Sequence, residues 1–473
     1  MMKQIDQDLV KSIVGRVLSE LSEYQPQSPN STSRNGVFDD VEEAVCATGQ
    51  AQRLWARMSL EQKGKVIEAL RQSMHEHADT FARMAQQETG MGRVSDKILK
   101  HHNAANATPG LEDLRSRSWS GDHGLVVEEY APYGVVAAIT PSTHPIPVFL
   151  NSLIIIIAAG NGVVFNVHPA AKKVSAYAAE IFSEVIESAG GPANLATMIR
   201  EPTMETVNQL FQHPQIPMIA ATGGPALVEV ALKSGKKVIA AGPGNPPVLV
   251  DKTACLPGAA KHIIAGASFD NNILCIAEKE TFAVKSAFNP LMETMEQAGA
   301  VRLNESQIEK LSQLVFSKEA NGHWSIGRDF IGKNASVLGA AVGLSLSDDT
   351  RLLYGETDFD HPFVQEEQMM PFMPVVCVED SEEGIDLSVK AEHGYGHTAS
   401  IYANDLELIT EFTRRVDTDI VIVNGPSLAG NGAPAGEAYF SHTIASPTGE
   451  GICTPRDFAR IRRLCTYNSL RIV

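Results

Sequence analysis

Cysteine is scarce in this sequence, and its few copies are scattered. None of the six cysteines among the 473 residues forms a CxxC pair or has the Cys/His spacing of a metal site. We therefore expect neither a disulfide framework nor a bound metal, and a reducing, cytoplasmic compartment fits this usage. A cysteine with a special role is then better explained as a nucleophile than as half of a disulfide.

Long apolar runs are also missing. The best candidate, residues 148–159, is interrupted by Asn151 and Ser152 and followed by Gly160. It is shorter than the roughly 20 apolar residues that a membrane helix needs, so it predicts a buried helix of a large domain. The acidic Asp6 and Asp8 stand where a signal peptide carries positive charge, so no secretion signal is expected.

Positive charge is in deficit, with 39 Lys and Arg against 56 Asp and Glu and a formal net charge of −17. This balance argues against broad electrostatic binding to nucleic acid or to an anionic membrane, and it leaves room for a local anionic-cofactor site. Hydrophobic residues make up 44% and charged residues 20%, which is a globular composition. The length predicts two or three domains.

The first residues of the chain differ from the rest. Apolar side chains recur at helical spacing on one face of residues 1–21, which predicts a short amphipathic helix. Residues 22–36 are rich in Ser, Pro, Asn and Gln and predict a linker. Two interpretations stay open: the helix docks on its own domain or a sister subunit, or it is a docking peptide for another protein.

Beyond residue 37 the pattern is helical to about residue 114, and short β-rich runs then alternate with helical stretches. Strands are predicted at residues 134–140, 162–167, 195–199, 216–221, 237–241 and 247–250, and a second such series follows. This alternation is typical of a parallel, doubly wound sheet, so the predicted fold class is α/β.

No GxGxxG motif is present. Gly223 and Gly224 instead lie between a predicted strand and a predicted helix at 226–233. Free backbone N–H groups at such a place can hold a pyrophosphate, although a purely structural turn is the alternative.

Cys275 lies in the segment GASFDNNILCIAEKE, residues 266–280. Taken alone it is most simply a small buried residue, but the string resembles the catalytic cysteine segment of the CoA-acylating aldehyde dehydrogenases of bacterial microcompartments. Ten further stretches resemble this family in the same order: 131–135 (APYGV), 140–143 (TPST), 158–161 (AAGN), 167–169 (VHP), 221–225 (ATGGP), 242–247 (GPGNPP), 361–367 (HPFVQEE), 392–394 (EHG), 424–427 (NGPS) and 447–451 (PTGEG). The resemblance covers about residue 37 to the C-terminus.

The resemblance implies an aldehyde dehydrogenase-like fold. It places a Rossmann-like cofactor domain at 37–248, with a flap hairpin at about 115–133, and a second α/β, catalytic domain at 249–425. Residues 426–473 would return to the cofactor domain and supply an oligomerisation strand, so a homo-oligomer, a dimer or a tetramer, is expected. The segment at 1–21 resembles the family's encapsulation peptide, which implies a shell-protein partner and the microcompartment lumen as the location.

The resemblance also implies a reaction in which a short aldehyde, NAD+ and CoA give acyl-CoA and NADH. Cys275 would attack the aldehyde, and hydride transfer to the nicotinamide would leave a thioester on the cysteine. Hydrolytic relatives carry a glutamate base in the stretch that corresponds to 241–245, which has no carboxylate here. The thioester would therefore await a CoA thiol, which is partly ionised near neutral pH.

The same resemblance assigns the cofactor site. Asn166 stands where hydrolytic relatives place a ribose-binding lysine, so that contact is missing, and His168 is a candidate to help. Glu367 corresponds to a glutamate that holds the nicotinamide ribose, with a surface charge as the alternative. The expected cofactor-binding residues are Thr140, Pro141, Ser142, Asn166, His168, Thr222, Gly223, Gly224, Gly242, Pro243 and Glu367.

Two departures from the family pattern stand out. His144 replaces the usual asparagine, whose amide donates to the oxyanion, so His144 is either that donor or a space-filling residue. An imidazole near its ordinary pKa would make the rate change at low pH. Residues 428–435 differ from the usual glycine-rich string, so substrate-pocket details are not carried over. His393 and His397 are interpreted as structural, with a base for the CoA thiol as the alternative.

Two other functions compete with the acylating enzyme. A hydrolytic aldehyde dehydrogenase needs a carboxylate near Cys275, and the expected motif lacks one. A catalytically silent cargo protein would keep only the fold and the docking helix; Cys275 argues against it and His144 mildly for it. Acetaldehyde, propionaldehyde and lactaldehyde differ by a methyl or a hydroxyl, so the sequence leaves the choice among them open.

Overall fold

The structure is a computed structural model that describes residues 36–318 and 324–471. The predicted docking helix at 1–21 and the predicted linker at 22–36, apart from Gly36, lie outside the described residues. The α-helices of the described part are α1 (Val41–Trp55), α2 (Leu60–Thr89), α3 (Val94–Ala107), α4 (Pro145–Ala158), α5 (Lys172–Ser188), α6 (Met204–Gln212), α7 (Pro225–Leu232), α8 (Leu256–Ser268), α9 (Lys285–Gln297), α10 (Glu305–Val315), α11 (Ala335–Ala341), α12 (Pro362–Gln365), α13 (Ser381–Ala391) and α14 (Leu406–Val416).

The strands alternate with these helices over most of the chain. They are β1 (Val37–Phe38), β2 (Arg117–Gly121), β3 (Gly124–Pro132), β4 (Val135–Thr140), β5 (Gly162–Val167), β6 (Ala196–Ile199), β7 (Met218–Thr222), β8 (Lys237–Ala241), β9 (Pro247–Val250), β10 (Glu280–Val284), β11 (Val301–Arg302), β12 (Phe316–Lys318), β13 (Trp324–Ile326), β14 (Leu353–Glu356), β15 (Phe372–Val378), β16 (Thr398–Tyr402), β17 (Ile420–Val423), β18 (Ile444–Ala445), β19 (Gly451–Ile452) and β20 (Ala459–Tyr467). The predicted α/β fold class is confirmed.

The first large sheet is parallel, in the order β1-β6-β5-β4-β7-β8. From β4 the chain proceeds through β5 and β6 to one side and then through β7 and β8 to the other. The order therefore reverses between β4 and β7. In open α/β sheets, ligands bind at the carboxyl ends of the strands beside such a switch point.

Helix α4 carries the apolar run that the sequence analysis assigned to a buried helix, and every one of its residues is buried. The helix begins with Pro145, whose missing N–H costs nothing at a first helical position, and the chain turns at Gly160. The two polar residues that interrupt the run are buried as well, and Asn151 donates to Thr108 Oγ1 at 3.0 Å. In the described residues no helix is both long and apolar enough to cross a membrane.

The second large sheet is also parallel, in the order β11-β14-β15-β10-β9-β16-β17. The loop between β8 and β9 joins a carboxyl end of the first sheet to an amino end of the second. A third sheet is antiparallel and pairs the hairpin β2-β3 with β20 from the C-terminal part of the chain.

Candidate active site

Cys275 lies where the amino ends of four neighbouring strands meet. Gly244 precedes β9, Cys275 precedes β10, Glu367 precedes β15 and His397 precedes β16, and these strands are adjacent in the order β15-β10-β9-β16. A Cβ added at Gly244 would lie 2.8 Å from the carbonyl oxygen of Cys275 and 3.0 Å from Cγ of His397. The close approach explains the glycine, and it places the β8–β9 loop directly against the cysteine.

The turn before Cys275 depends on unusual backbone conformations. Asp270, Asn271 and Asn272 have φ angles of 47°, 57° and 62°, in the left-handed region that Asn and Asp tolerate better than other side chains. Their side chains also hold the turn, since Asn272 Nδ2 donates at 2.8 Å to the carbonyls of Ala267 and Glu278. The sequence Asp-Asn-Asn is thus a requirement of the turn that presents the cysteine.

The surroundings of the Cys275 thiol favour its neutral form. Burial, together with the neighbouring Glu367 carboxylate, raises the pKa of this thiol to about 12. Lys279 acts in the opposite direction and favours the thiolate. Attack on an aldehyde needs the thiolate, so the groups around the cysteine decide its reactivity.

Lys279 is a completely buried ammonium group next to this turn. Its Nζ donates to the carbonyl oxygen of Asn272 at 2.9 Å and also contacts Asn272 Oδ1. Burial lowers its pKa, whereas the nearby Glu367 and Cys275 raise it. The lysine therefore stabilises the turn and supplies positive charge close to the thiol.

Three carboxyl groups surround this lysine, and we call Glu278, Glu280 and Glu367 the carboxyl cluster. Burial raises the pKa of Glu278 and of Glu367 to about 7 each and that of Glu280 well above its ordinary value. Glu278 accepts from Ser427 N at 2.8 Å and from Ser427 Oγ at 2.7 Å. Both oxygens of Glu280 are buried without a hydrogen-bond partner in the described residues. Burial of an unpaired carboxylate charge costs much free energy, so the protonated form of Glu280 is favoured.

His397 and His393 take different positions. His397 is buried, its Nδ1 lies 2.8 Å from Thr398 Oγ1, and its Nε2 has no partner among the described residues. Burial lowers the pKa of His397 to about 4, so the imidazole is neutral. His393 is exposed, and its Nε2 lies 2.8 Å from the carbonyl of Gln365. A role for either histidine as a base stays a prediction.

Ten of the eleven residues predicted to bind the cofactor line the carboxyl edge of the first sheet, whereas Glu367 lies before β15 in the second sheet, beside Cys275. Thr140 ends β4 and leads into Pro141 and Ser142, and Asn166 and His168 lie at the end of β5. Thr222, Gly223 and Gly224 join β7 to α7, and Gly242 and Pro243 follow β8. These four loops flank the switch point between β4 and β7, although the predicted contacts themselves stay predictions.

Two features of this edge fit a polar ligand. Thr140 Oγ1 is buried without a hydrogen-bond partner in the described residues, and a Cβ added at Gly224 would meet nothing within 4 Å. Gly224 also leaves the first N–H groups of α7 without a side-chain cap. The side-chain oxygen of Asn166 already has a partner in the protein, because it accepts a hydrogen bond from Thr206 Oγ1 at 2.7 Å. His168 caps the next turn through a 3.1 Å bond from Ala170 N.

His144 belongs to a second buried group, which we call the imidazole cluster: His101, His144, His442, Lys97 and Lys100. The rings of His144 and His442 stack with their centroids 5.5 Å apart. Burial lowers the pKa of His144 well below its ordinary value, and the charge of Lys100 lowers it further. In the described residues no hydrogen bond or ring contact joins His144 to Cys275, so its role as oxyanion donor stays a prediction.

The turn 270–275 links the two clusters. Asp270, at its start, ion-pairs with Lys97 at 3.1 Å and with Lys100, while Cys275 at its end lies beside Lys279. Several residues around these clusters were not predicted from the sequence as site residues: Lys97, Lys100, Lys279, Glu280 and His442. One signal was available: three consecutive charged residues, 278–280, run directly into a strand whose pattern is that of a buried core.

No group of three or more His, Cys, Asp or Glu side chains is arranged to hold a metal ion in residues 36–318 and 324–471.

Two parallel α/β sheets with a cysteine on a strained turn between their edges define an oxidoreductase of the aldehyde dehydrogenase type. The profile of the aldehyde dehydrogenase family matches residues 24–436, and the chain belongs to this family.

Known proteins resemble the chain over nearly its whole length. It is 42% identical to the acetylating acetaldehyde dehydrogenase EutE of Salmonella typhimurium, over 99% of this chain and 100% of that protein. A propionaldehyde dehydrogenase from the fucose utilisation microcompartment of Clostridium phytofermentans has a TM-score of 0.89 and 43% identity, over 93% of this chain and 100% of that one. Propionaldehyde dehydrogenase of Rhodopseudomonas palustris, solved with bound CoA and an acylated cysteine, has a TM-score of 0.90 and 38% identity, over 93% and 100%. The predicted family is confirmed.

Proposed function

We propose that the chain is a CoA-acylating aldehyde dehydrogenase that oxidises a short aliphatic aldehyde through a thioester on Cys275. The observation that carries the proposal is the contact between the β8–β9 loop and Cys275. This loop reaches the carbonyl of the cysteine at Gly244 and contains no carboxylate. The relative solved with CoA and an acylated cysteine supports the same reaction.

The residues of the chain account for the first step. The thiol of Cys275 loses its proton, and its sulfur forms a bond to the aldehyde carbon while the carbonyl oxygen becomes negative. Glu367, whose pKa is about 7 and whose charge acts on the thiol, is the candidate to accept that proton. The backbone N–H of Cys275 and a side-chain donor stabilise the oxyanion.

The second and third steps consume the co-substrates. A bound nicotinamide supplies the hydride acceptor, and the edge formed by Thr140, 222–224 and 242–243 would hold it. Loss of hydride leaves an acyl group on Cys275, and transfer of that group to the thiol of CoA frees the cysteine and gives acyl-CoA. The balance is aldehyde, NAD+ and CoA to acyl-CoA, NADH and a proton.

The test is the dependence of NADH formation on CoA. Enzyme mixed with propionaldehyde and NAD+ alone should give a burst of about one NADH per active site and then near silence, because the thioester accumulates. Addition of CoA should restore steady turnover. Fast steady turnover without CoA would favour hydrolysis, with Glu367 as base for water. Absence of both burst and turnover would favour the silent cargo protein.

We also propose that residues 1–21 dock the enzyme to a microcompartment shell and so place it in the lumen. The amphipathic pattern, the linker and the microcompartment source of a similar structure support this. Deletion of residues 1–21 should leave specific activity unchanged and abolish recruitment of a fluorescent fusion to shells. Loss of folding or of the oligomer in the truncated protein would contradict it.

A homo-oligomer is proposed through the three-stranded sheet. Strand β20 exposes Ile461, Leu464 and Tyr467 at 66%, 65% and 80% of their surface, and Trp119 on β2 is 51% exposed. Such an apolar surface is typical of an interface, and a second copy of the chain is the proposed partner.

A further inference from the structure

The imidazole cluster contains several buried polar atoms that have nothing to bond to. His144 Nδ1, His442 Nε2 and His101 Nε2 are buried without hydrogen-bond partners in the described residues. Lys100 Nζ contacts Asp270 and has no other partner there. Buried polar atoms are nearly always satisfied in folded proteins, so a group of this size in one place indicates hydrogen-bonding capacity that a polar ligand can use.

Helices α3 and α4 and the segment that carries His442 bring the members of this cluster together. Lys97, Lys100 and His101 follow one another on one face of α3, which packs against α4. His144 is the residue before α4, and Asn151 within α4 accepts from the backbone N–H of His442 at 3.2 Å. The polar interruption of the apolar run thus holds His442 against His144.

A second stacked pair shows that stacking by itself does not leave nitrogens unpaired. His75 and His102 stack with centroids 5.0 Å apart, but their Nδ1 atoms lie 2.7 Å from each other and His75 Nε2 lies 2.8 Å from Asn106 Oδ1. This pair is partly exposed as well. The contrast singles out the buried pair as one with free hydrogen-bonding capacity.

The cluster is connected to the cysteine turn on two sides. Asp270 binds Lys100 and Cys275 follows five residues later, so the two positions are at most about 18 Å apart and less in a turned chain. From the other side, Ile444 packs with Ile273, Leu274 and Ile276 in one apolar group, two residues after His442. The cysteine turn and the segment that carries His442 therefore pack against each other.

The protonation states of the unpaired nitrogens indicate which ligand group they can bond. Burial lowers the pKa of His442 and of His101 to about 3, so both rings are neutral. His101 Nδ1 bonds the carbonyl of Lys97 and therefore carries the proton, which leaves Nε2 as an acceptor. Lys100, whose pKa burial lowers to about 8, is a donor at neutral pH. A neutral hydroxyl accepts from the ammonium and donates to an imidazole, whereas a methyl group leaves all of these atoms unpaired.

Resting on the proposed function, we infer that the aldehyde pocket selects a hydroxyl-bearing short aldehyde, with His442, His144 and Lys100 around the hydroxyl. Lactaldehyde and propionaldehyde form the matched pair of substrates, because they differ by one hydroxyl. A site built to bond a hydroxyl discriminates strongly against the analogue that lacks it. We therefore expect kcat/KM for lactaldehyde to exceed that for propionaldehyde by at least about fivefold.

The test compares the ratio of these two kcat/KM values, with CoA present, among wild type, His442→Leu, His442→Gln and the control His102→Leu. His442→Leu should shift the ratio toward propionaldehyde by about fivefold or more, His442→Gln by less because an amide can still bond, and His102→Leu not at all. A smaller shift in His442→Leu, or a wild type that prefers propionaldehyde, overturns the inference.

A measurement on the wild-type enzyme removes any dependence on the folding of variants. Used as inhibitors of propionaldehyde oxidation, 1,2-propanediol should have an inhibition constant at least about fivefold below that of 1-propanol, and equal constants overturn the inference. Failure of the proposed function looks different, because neither aldehyde would then give CoA-dependent NADH.

Discussion

The carboxyl cluster and the imidazole cluster lie at opposite ends of one short turn. The pKa values of their side chains are shifted in opposite directions. In the first, burial raises the pKa values of Glu278, Glu280 and Glu367. In the second, burial lowers those of His144 and His442. Both shifts favour the neutral form, as desolvation requires.

The lysines show what the difference means for function. Lys279 offsets acidic neighbours and supports the thiolate of Cys275, whereas Lys97 and Lys100 are tied to the single carboxylate of Asp270. The carboxyl cluster therefore influences the charge of the Cys275 thiol. The imidazole cluster presents neutral nitrogens and is suited to holding an uncharged substrate group or a developing oxyanion.

The largest effect is expected from substitution of Cys275, which lies between the two clusters. Cys275→Ala should lower NADH formation by at least about ten-thousandfold, because no other nucleophile occupies that turn. Binding of NAD+, measured by fluorescence titration, should persist. Cys255→Ala is the control, since Cys255 is exposed before α8. Turnover of Cys275→Ala within tenfold of wild type would contradict the assignment.

A smaller effect is expected in the imidazole cluster. His144→Ala should lose about a hundred- to a thousandfold in kcat if His144 donates to the oxyanion, with little change in NAD+ affinity. His144→Asn should keep substantial activity, because its amide also presents an N–H. A loss of less than about threefold in the alanine variant would show that His144 only fills space.

The structure corrects the expected pH response of this residue. Because burial holds the pKa of His144 well below its ordinary value, we expect no protonation of this imidazole over the measured range, pH 5.5 to 8.5. The wild-type and His144→Asn profiles of kcat should therefore have the same shape over that range. The low-pH rate change that an imidazole with its ordinary pKa would give is therefore not expected for this buried ring.

The sequence predicted the fold better than it predicted the surroundings of Cys275. Periodicity and the loops at 222–224 and 242–247 locate the first sheet, because such patterns are local. The position of Cys275 followed from its motif. The unpaired nitrogen of His442 and the charge of Lys279 depend on residues far apart in the chain, such as Asn151 and Glu367, and no local pattern records those contacts.

The smallest expected effect tests the carboxyl cluster through the reactivity of the thiol. Glu367 has a pKa of about 7, and its ionised form raises the pKa of Cys275. Glu367→Gln removes that charge and should lower the pKa of the thiol, so alkylation of the ligand-free enzyme by iodoacetamide should become faster. A coupling of about 1 kcal/mol corresponds to roughly fivefold.

The sign of the pH dependence makes this prediction specific. Below about pH 7 the carboxyl of Glu367 is protonated in the wild type, so the alkylation rates of wild type and Glu367→Gln should converge. Above about pH 7 the wild-type carboxylate forms, and the variant should react faster by a growing factor. Glu366→Gln makes the same change of charge one residue away and should leave the ratio near one. A variant that is no faster than wild type at pH 8.5 would contradict the repulsion between the Glu367 carboxylate and the thiolate. The proposed role of Glu367 as proton acceptor is a separate question, because alkylation uses thiolate that is in equilibrium with the solvent.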